Sequence, residues 1–297
     1  MEYTVGEGRD VMKPNLIALL TEQMPEFSKG QKRIAQYIID HYDTAAFMTA
    51  YRLGETVGVS ESTVVRFATE LGYDGYPQLQ KAVQDLIRSK LTLMERIEVS
   101  RAQMQGSNVF SEVMAYDIAN IRQTLDELEP EVFSQAVEAL VRARRVYVFG
   151  AGSCRALASF LTYYLQMLLD DVFFVRPNTE GEIFGEMIHV GEEDVVLAVS
   201  FPRYSSKSVK VMHFAHARKA TTIAITDSML APVAENASFV LPAHSDMASV
   251  VDSLVAPLSI INSLIVAVSL QCKDRKAREL AELESIWKSY QLFDQHK

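Results

Sequence analysis

The residues best placed to do chemistry are hydroxyls beside glycines. Arg145-Val-Tyr-Val-Phe-Gly-Ala-Gly-Ser-Cys-Arg155 joins an unbroken apolar, β-prone run, Val146–Phe149, to Gly150, Gly152, Ser153 and Cys154. A run this short and this apolar predicts a strand buried on both faces. Gly150 and Gly152 permit a tight turn and a close approach of the backbone to a ligand. Ser153 stands where it can cap a following helix. Strand, glycine turn and helix N-terminus together present free N–H groups and the positive end of a helix dipole, which suits an anion. Two further loops carry hydroxyls, Ser200–Ser206 (with Ser200, Ser205 and Ser206) and Thr226-Asp227-Ser228. If all three close strands of one open sheet, they meet at its carboxyl edge, where such sheets bind ligands. The chemistry implied is the holding of an oxyanion by neutral donors, as on a phosphorylated small molecule.

A second constellation lies near the other end. Leu53-Gly-Glu-Thr-Val-Gly-Val-Ser-Glu-Ser-Thr-Val-Val-Arg-Phe67 has helix-turn-helix spacing. Gly54 is small where two helices cross, and Gly58 supplies a left-handed turn residue. Ser60 caps the second helix, and Val59, Val64 and Phe67 pin it inward. Glu61, Ser62, Thr63, Arg66 and Thr69 are then left for a DNA groove, with Ser60 at the helix start. Phosphate contacts are expected from a subset of Lys29, Lys32, Arg33, Arg52 and Lys81. A plain helical hairpin is the alternative.

Other chemistries fit less well. In the dinucleotide fingerprint G-x-G-x-x-G, Arg155 occupies the third glycine position, and Asp170 and Asp171 precede the next strand instead of ending it. Ser153 lies beyond the second glycine, so no G-x-S-x-G nucleophile elbow forms. Glu186-Met-Ile-His189 has di-iron spacing, but in one copy only. Cys154 and Cys272 are the only cysteines, without C-x-x-C, which suits a reducing cytoplasm and opposes a zinc site. No metal and no cofactor are called for. The N-terminus lacks the apolar core of a signal peptide. Leu254–Cys272 is the most lipid-like stretch, but Pro257, Ser259, Asn262, Ser263 and Ser269 interrupt it, so a buried or subunit-interface helix is expected and no membrane span. Cytoplasmic location follows.

The elements that must position these residues can be read in order. At 297 residues, about two domains are expected. Net charge is −9, so any DNA affinity must come from a local patch. Residues 1–105 hold 12 basic against 14 acidic side chains, and the remainder 17 against 24. Residues 1–14 read as disordered. Helices are expected from Leu16 to near Pro25, over Lys29–His41 behind Ser28, and after Phe47. A turn, Leu71–Pro77, precedes a charged helix, Lys81–Arg101. Residues 103–108 form the boundary, and helices Ser111–Leu125 and Pro130–Arg144 follow. Strands are then expected at Val146–Phe149, Val172–Val175, Val195–Ser200, Thr222–Thr226 and Phe239–Leu241. Helices are expected at Ser153–Leu169, Glu180–His189 and Ser206–Arg218, with a short one near Leu230–Glu235. The architecture is an all-α helix-turn-helix N-terminal domain (15–80), a helical linker (81–110), and an α/β doubly wound C-terminal domain (111–297) with a five-stranded, mostly parallel sheet. The apolar helix Val250–Leu270 is too greasy for solvent, and with the need of one small reader for a partner it suggests a homodimer or homotetramer.

These residues resemble the RpiR-type transcriptional regulators, which join an N-terminal helix-turn-helix domain to a C-terminal SIS (sugar isomerase) domain. The resemblance rests on Gln31–Ile38, Ala46–Ala50, Val59–Phe67 and Leu71–Pro77, and on Gly150–Cys154, Ser200–Ser205 and Ile225–Asp227. It implies a regulator that binds double-stranded operator DNA and a phosphosugar-type effector. Ser153 falls at the family's first serine position, and Cys154 replaces the second. Ser200 carries over directly, and Ser205 and Ser206 as replacements. Arg203 stands where glycine is common, and its guanidinium could bind an oxyanion or lie in solvent. An enzyme is the alternative, a phosphosugar isomerase fused to a DNA-binding domain, with Glu180, Glu182 or His244 as its base. No catalytic residue is assigned, because none can be placed within hydrogen-bond reach of a substrate.

Overall fold

The computed structural model describes residues 16–90, 94, 97, 108–176, 178–246 and 252–292. The expected disorder of 1–14, the end of the expected charged helix, most of the 103–108 boundary and the expected start of the apolar helix at Val250 lie outside the described residues. The chain divides into two compact units, Met1–Arg96 and Ile97–Lys297.

The first unit is helical: α1 (Leu16–Gln23), α2 (Lys29–Asp40), α3 (Tyr42–Ala45), α4 (Ala50–Val57), α5 (Glu61–Glu70) and α6 (Tyr76–Lys90). Ser28 caps α2 reciprocally, since Gln31 returns a side-chain bond to the Ser28 amide. Leu20, Ile34, Ile38, Leu53, Val64, Phe67 and Leu79 form the core. The helix-turn-helix is α4 and α5. Gly58 ends α4 with φ 69°, the conformation glycine adopts without strain. A Cβ on Gly54 would lie 2.8 Å from the Val59 carbonyl oxygen, so only glycine lets the turn fold back this tightly.

Two expectations for this unit are corrected. The helix expected over Lys29–His41 ends at Asp40, with His41 its exposed C-cap. The charged helix begins at Tyr76, before Lys81. Its early turns are core, with Tyr76, Leu79 and Val83 buried. The Tyr76 hydroxyl and Gln80 Nε2 donate to the Met48 carbonyl at 2.7 and 2.8 Å, and Gln84 Nε2 donates to that of Ala46 at 2.9 Å. Spaced by four, these three side chains share one helix face and satisfy carbonyls left open between α3 and α4. Burial pushes the Tyr76 hydroxyl up to about 12.

The second unit opens with α7 (Val109–Glu127) and α8 (Pro130–Arg142). Five strands follow: β1 (Arg145–Gly150), β2 (Val172–Val175), β3 (Asp194–Val199), β4 (Thr221–Thr226) and β5 (Phe239–Pro242). They pair in the order β2-β1-β3-β4-β5, and every pairing is parallel. Between them run α9 (Cys154–Leu168), α10 (Glu180–Glu186) and α11 (Ser206–Ala217), and α12 (Val255–Ser289) closes the unit. Helices α8, α9 and α12 cover one face of the sheet, and α10 and α11 the other. Residues 229–236 form turns, not the short helix expected there. Pro232 removes an amide from so short a segment, and Asn236 instead lends its carbonyl to the Thr222 hydroxyl at 2.6 Å.

Much of the apolar part of α12 is core. Ala256, Ile260, Ile261, Leu264 and Val268 are buried against the sheet, although Val255–Cys272 is long and apolar enough, with mean hydropathy 1.8, to match a membrane span by composition. At the opposite edge of the strands, buried Asp194 takes both carboxylate bonds from Arg144, at 3.0 and 2.7 Å, and a third from the Gly191 amide. Three donors make a buried carboxylate tolerable and fix the start of β3 beside β1.

Gly54→Ala is expected to destabilise the first unit by about 1–3 kcal/mol, the usual cost of forcing atoms into a packed crossing. Gly30→Ala is its control, because a Cβ there meets only side-chain atoms at 3.4 Å or more. That change should be neutral or stabilise by up to about 1 kcal/mol through helix propensity. Urea midpoints followed by helical circular dichroism compare the two.

Candidate functional site

The strand order reverses between β1 and β3, and ligands of doubly wound sheets sit outside the carboxyl ends at such a reversal. The two loops rich in candidate residues leave these two strands, with Gly150 in register with Val199. Gly150 is a packing residue. A Cβ there would lie 2.5 Å from the Cys154 carbonyl oxygen and 2.8 Å from the Ala158 Cβ, so the glycine lets α9 settle onto β1. Gly152 is the open one, with φ 59° and nothing within 4 Å of an added Cβ.

Ser153 does not cap α9. It already has helical dihedrals, φ −62° and ψ −32°, and makes no cap bond, because the turn at Gly152 draws it into the helix. The expected free amides are also fewer. Those of Cys154, Arg155 and Ala156 donate into tight turns to Ala151, Gly152 and Ser153 at 3.2–3.3 Å. The amides of Gly152 and Ser153 donate to no backbone carbonyl among the described residues. Ser153 is exposed at the rim, whereas Cys154 is buried. Burial pushes the Cys154 thiol up, against the opposite pull of hydrogen bonds from the Phe201 backbone and the Ser153 side chain.

On that second loop Ser200 is buried, its amide donating to the Ile225 carbonyl at 3.1 Å. Arg203 has φ 65°, so glycine's usual place here has a backbone cause. Its side chain is exposed. Tyr204 donates to both Asp227 carboxylate oxygens, at 2.9 and 3.0 Å, and buried Thr226 donates to the same carboxylate at 3.1 Å. Tyr204 and Asp227 therefore brace the β3 and β4 loops, and the Thr226 hydroxyl donates to the Asp227 end of that brace. Asp227 was not foreseen as a brace. Ser205 stands half-buried at the start of α11 and makes no cap bond, and Ser206 is exposed. Ser208, one turn in, was passed over. Its hydroxyl is fully buried with no partner among the described residues.

The residues weighed as catalytic bases are engaged elsewhere. Glu180 pairs with Lys210 at 2.8 Å. Glu182 accepts from the Thr179 amide and hydroxyl, and these bonds hold its carboxyl below the usual range. Buried His244 lies 2.9 Å from Glu127.

In the first unit, Glu61, Ser62, Arg66 and Thr69 are exposed along one side of α5. Several of their polar atoms fold back on the helix. Arg66 Nε donates to the Ser62 carbonyl at 3.3 Å, and the Thr69 hydroxyl to that of Val65 at 3.2 Å. Ser60 caps Thr63 as expected, and the half-buried Thr63 hydroxyl bonds Ser60 Oγ at 2.8 Å, so these two build the helix start. Lys32 and Arg52 are exposed, and Arg52 forms a 3.7 Å ion pair with Glu55. Val65 is 40% exposed on the same face, a position that residue polarity alone does not reveal. Helical spacing alone, 61, 62, 65, 66, 69, would have included it.

Residues 14–90 match the helix-turn-helix domain of the rpiR family, and residues 139–267 match the SIS domain. The chain belongs to the RpiR-type transcriptional regulators. Among curated relatives of this regulator is HexR of Pseudomonas aeruginosa, an HTH-type transcriptional regulator, 23% identical over 86% of this chain and 90% of the relative. The sugar isomerase domain of an RpiR transcription factor from Sphaerobacter thermophilus matches 60% of this chain and 99% of its own, with TM-score 0.56 and 29% identity. NanR of Vibrio vulnificus, solved with ManNAc-6P, shares the fold over 91% of this chain and 97% of its own, with TM-score 0.53 and 19% identity.

Arg203→Gly is expected to stabilise the regulator by about 1 kcal/mol by removing a left-handed non-glycine residue. Arg203→Ala keeps the Cβ and should not. Thermal midpoints of the three proteins read the difference.

Proposed function

We propose that this regulator senses a phosphorylated sugar, or a related small phosphometabolite, at the carboxyl edge of β1, β3 and β4, and that occupancy changes its affinity for operator DNA. The carrying observation is the pairing of rim and floor across the β1–β3 reversal. Ser153 caps nothing and is exposed, Ser200 lies buried at the other strand's end, and the Tyr204–Asp227 bonds hold the β3 and β4 loops together. Ser205, Ser206 and Arg203 complete the rim, and Gly152 leaves its backbone open. NanR's phosphorylated ligand supports the class. No cofactor is needed, and engagement of Glu180, Glu182 and His244 elsewhere favours sensing over isomerase turnover. The protein acts in the cytoplasm, where its DNA is.

In the first unit Glu61, Ser62, Arg66 and Thr69 face the major groove, Ser60 and Thr63 shape the helix start, and Lys32 and Arg52 serve phosphates. Two readers are needed for a near-palindromic operator. The surface proposed to bring them together is on α7. Phe110, Met114, Ile118, Ile121 and Leu125 are all exposed and fall within one narrow stripe of that helix. Their spacing is nearly symmetric about Ile118, as an antiparallel two-fold pairing with a second copy requires. The neighbouring face of α7 is polar and grips the segment after β5. Asn120 bonds the Asp246 backbone in both directions at 3.2 Å, and Thr124 accepts from the His244 amide at 2.8 Å. One helix would thus touch both the partner copy and the chain leaving β5.

Titrating operator DNA with and without a panel of sugar phosphates tests the sensing. Typical couplings predict a change of roughly 5–150-fold for one member of the panel and none for its unphosphorylated form. Ser153→Ala and Ser200→Ala should each weaken effector binding by about 1–3 kcal/mol while leaving effector-free DNA affinity intact. An unchanged effector midpoint in both variants would place the phosphate elsewhere. For the subunit contact, light scattering should show Ile118→Glu shifted to monomer at micromolar concentration. A variant that stays dimeric would move the interface off α7.

A further inference from the structure

We propose that Val65 reads a thymine methyl group in the operator, and so sets sequence preference at one base pair of each half-site. The inference rests on the DNA-reading role of α5. Its exposed residues are Glu61, Ser62, Val65, Arg66, Thr69 and Glu70, and Val65 is the apolar one among them. Its polar neighbours draw back. Arg66 Nε bonds the Ser62 carbonyl, and the Thr69 hydroxyl bonds the carbonyl of Val65 itself. Val65 does not contribute to the core, which Val64, Phe67 and Ala68 supply from this helix. An exposed β-branched residue is also a poorer helix former than alanine. Neither folding nor helix stability accounts for a valine here.

Contact with DNA does account for it. Val65 is four residues, about one turn, beyond Glu61, which opens the helix, and the N-terminal part of a recognition helix is what meets base edges. Along the major groove each base edge offers hydrogen-bond donors or acceptors, and the apolar group is the C5-methyl of thymine. A branched aliphatic side chain matches that group and leaves the buried donors and acceptors of other bases unpaired. Selection is therefore against guanine, cytosine and adenine as well as for thymine.

Selecting duplexes from a random library with the full-length protein gives its half-site. Each thymine of that site is then replaced by deoxyuridine, which removes only the methyl group. At one thymine per half-site the parent should lose about 3–5-fold in affinity, the worth of one buried methyl. Val65→Ala should bind the two duplexes equally at that position and keep the parent's response elsewhere. Val65→Thr, nearly isosteric and retaining one methyl, should keep most of the penalty, which separates lost contact from lost folding. A parent indifferent to every deoxyuridine, or Val65→Ala with the parent's full pattern, overturns the proposal. Failure to enrich any sequence overturns the DNA-reading role itself, and this inference with it.

Discussion

The close seating of α9 on β1 is the contact on which the site depends. With a Cβ at Gly150, the Cys154 carbonyl and Ala158 could not stay where they are. The helix start would move outward, taking Ser153 and buried Cys154 with it. That would shift the β1 loop relative to β3 at the strand reversal. Parallel strand order decides where a crevice can be. The missing side chain at 150 decides how closely α9 seats on β1 beside that reversal.

The same device recurs in the first unit, where Gly54 lets the α4–α5 turn close on the Val59 carbonyl. In both places a glycine is chosen for what stands beside it, whereas Gly58 and Gly152 are chosen for their dihedrals. Sequence alone does not separate these reasons. Both kinds read as turn glycines, which is why Gly150 was expected to face a ligand and instead faces its own helix.

Strands and their alternation with helices were legible because five apolar runs, each bounded by polar or glycine segments, admit few other arrangements. The helix-turn-helix was legible because Gly54, Gly58, Val64 and Phe67 each have one physical use at that spacing. What escaped were features set by hydrogen bonds between distant residues. Tyr76, Gln80 and Gln84 reach back to Met48 and Ala46, so a helix expected to begin as a linker at Lys81 begins as core. Thr226 is turned to Asp227, and the Ser153 hydroxyl makes no cap bond to its helix. Hydroxyl count at an edge is readable from sequence, but hydroxyl direction is not. Val65 escaped for another reason, since an apolar type was taken as a sign of burial.

Helix α12 carries two environments on one continuous backbone. Its first half is held by the sheet, whereas from Ala277 onward every described side chain is exposed or half-exposed. At 1.5 Å per residue its 35 residues span about 52 Å, more than twice the roughly 19 Å width of a five-stranded sheet. Amide hydrogen exchange along this helix should grade from the slowest class, reporting global unfolding, to the fraying rates of an isolated helix within a few turns. That far end presents Ile286, Tyr290 and Leu292 to solvent at the end of a helix the sheet no longer supports.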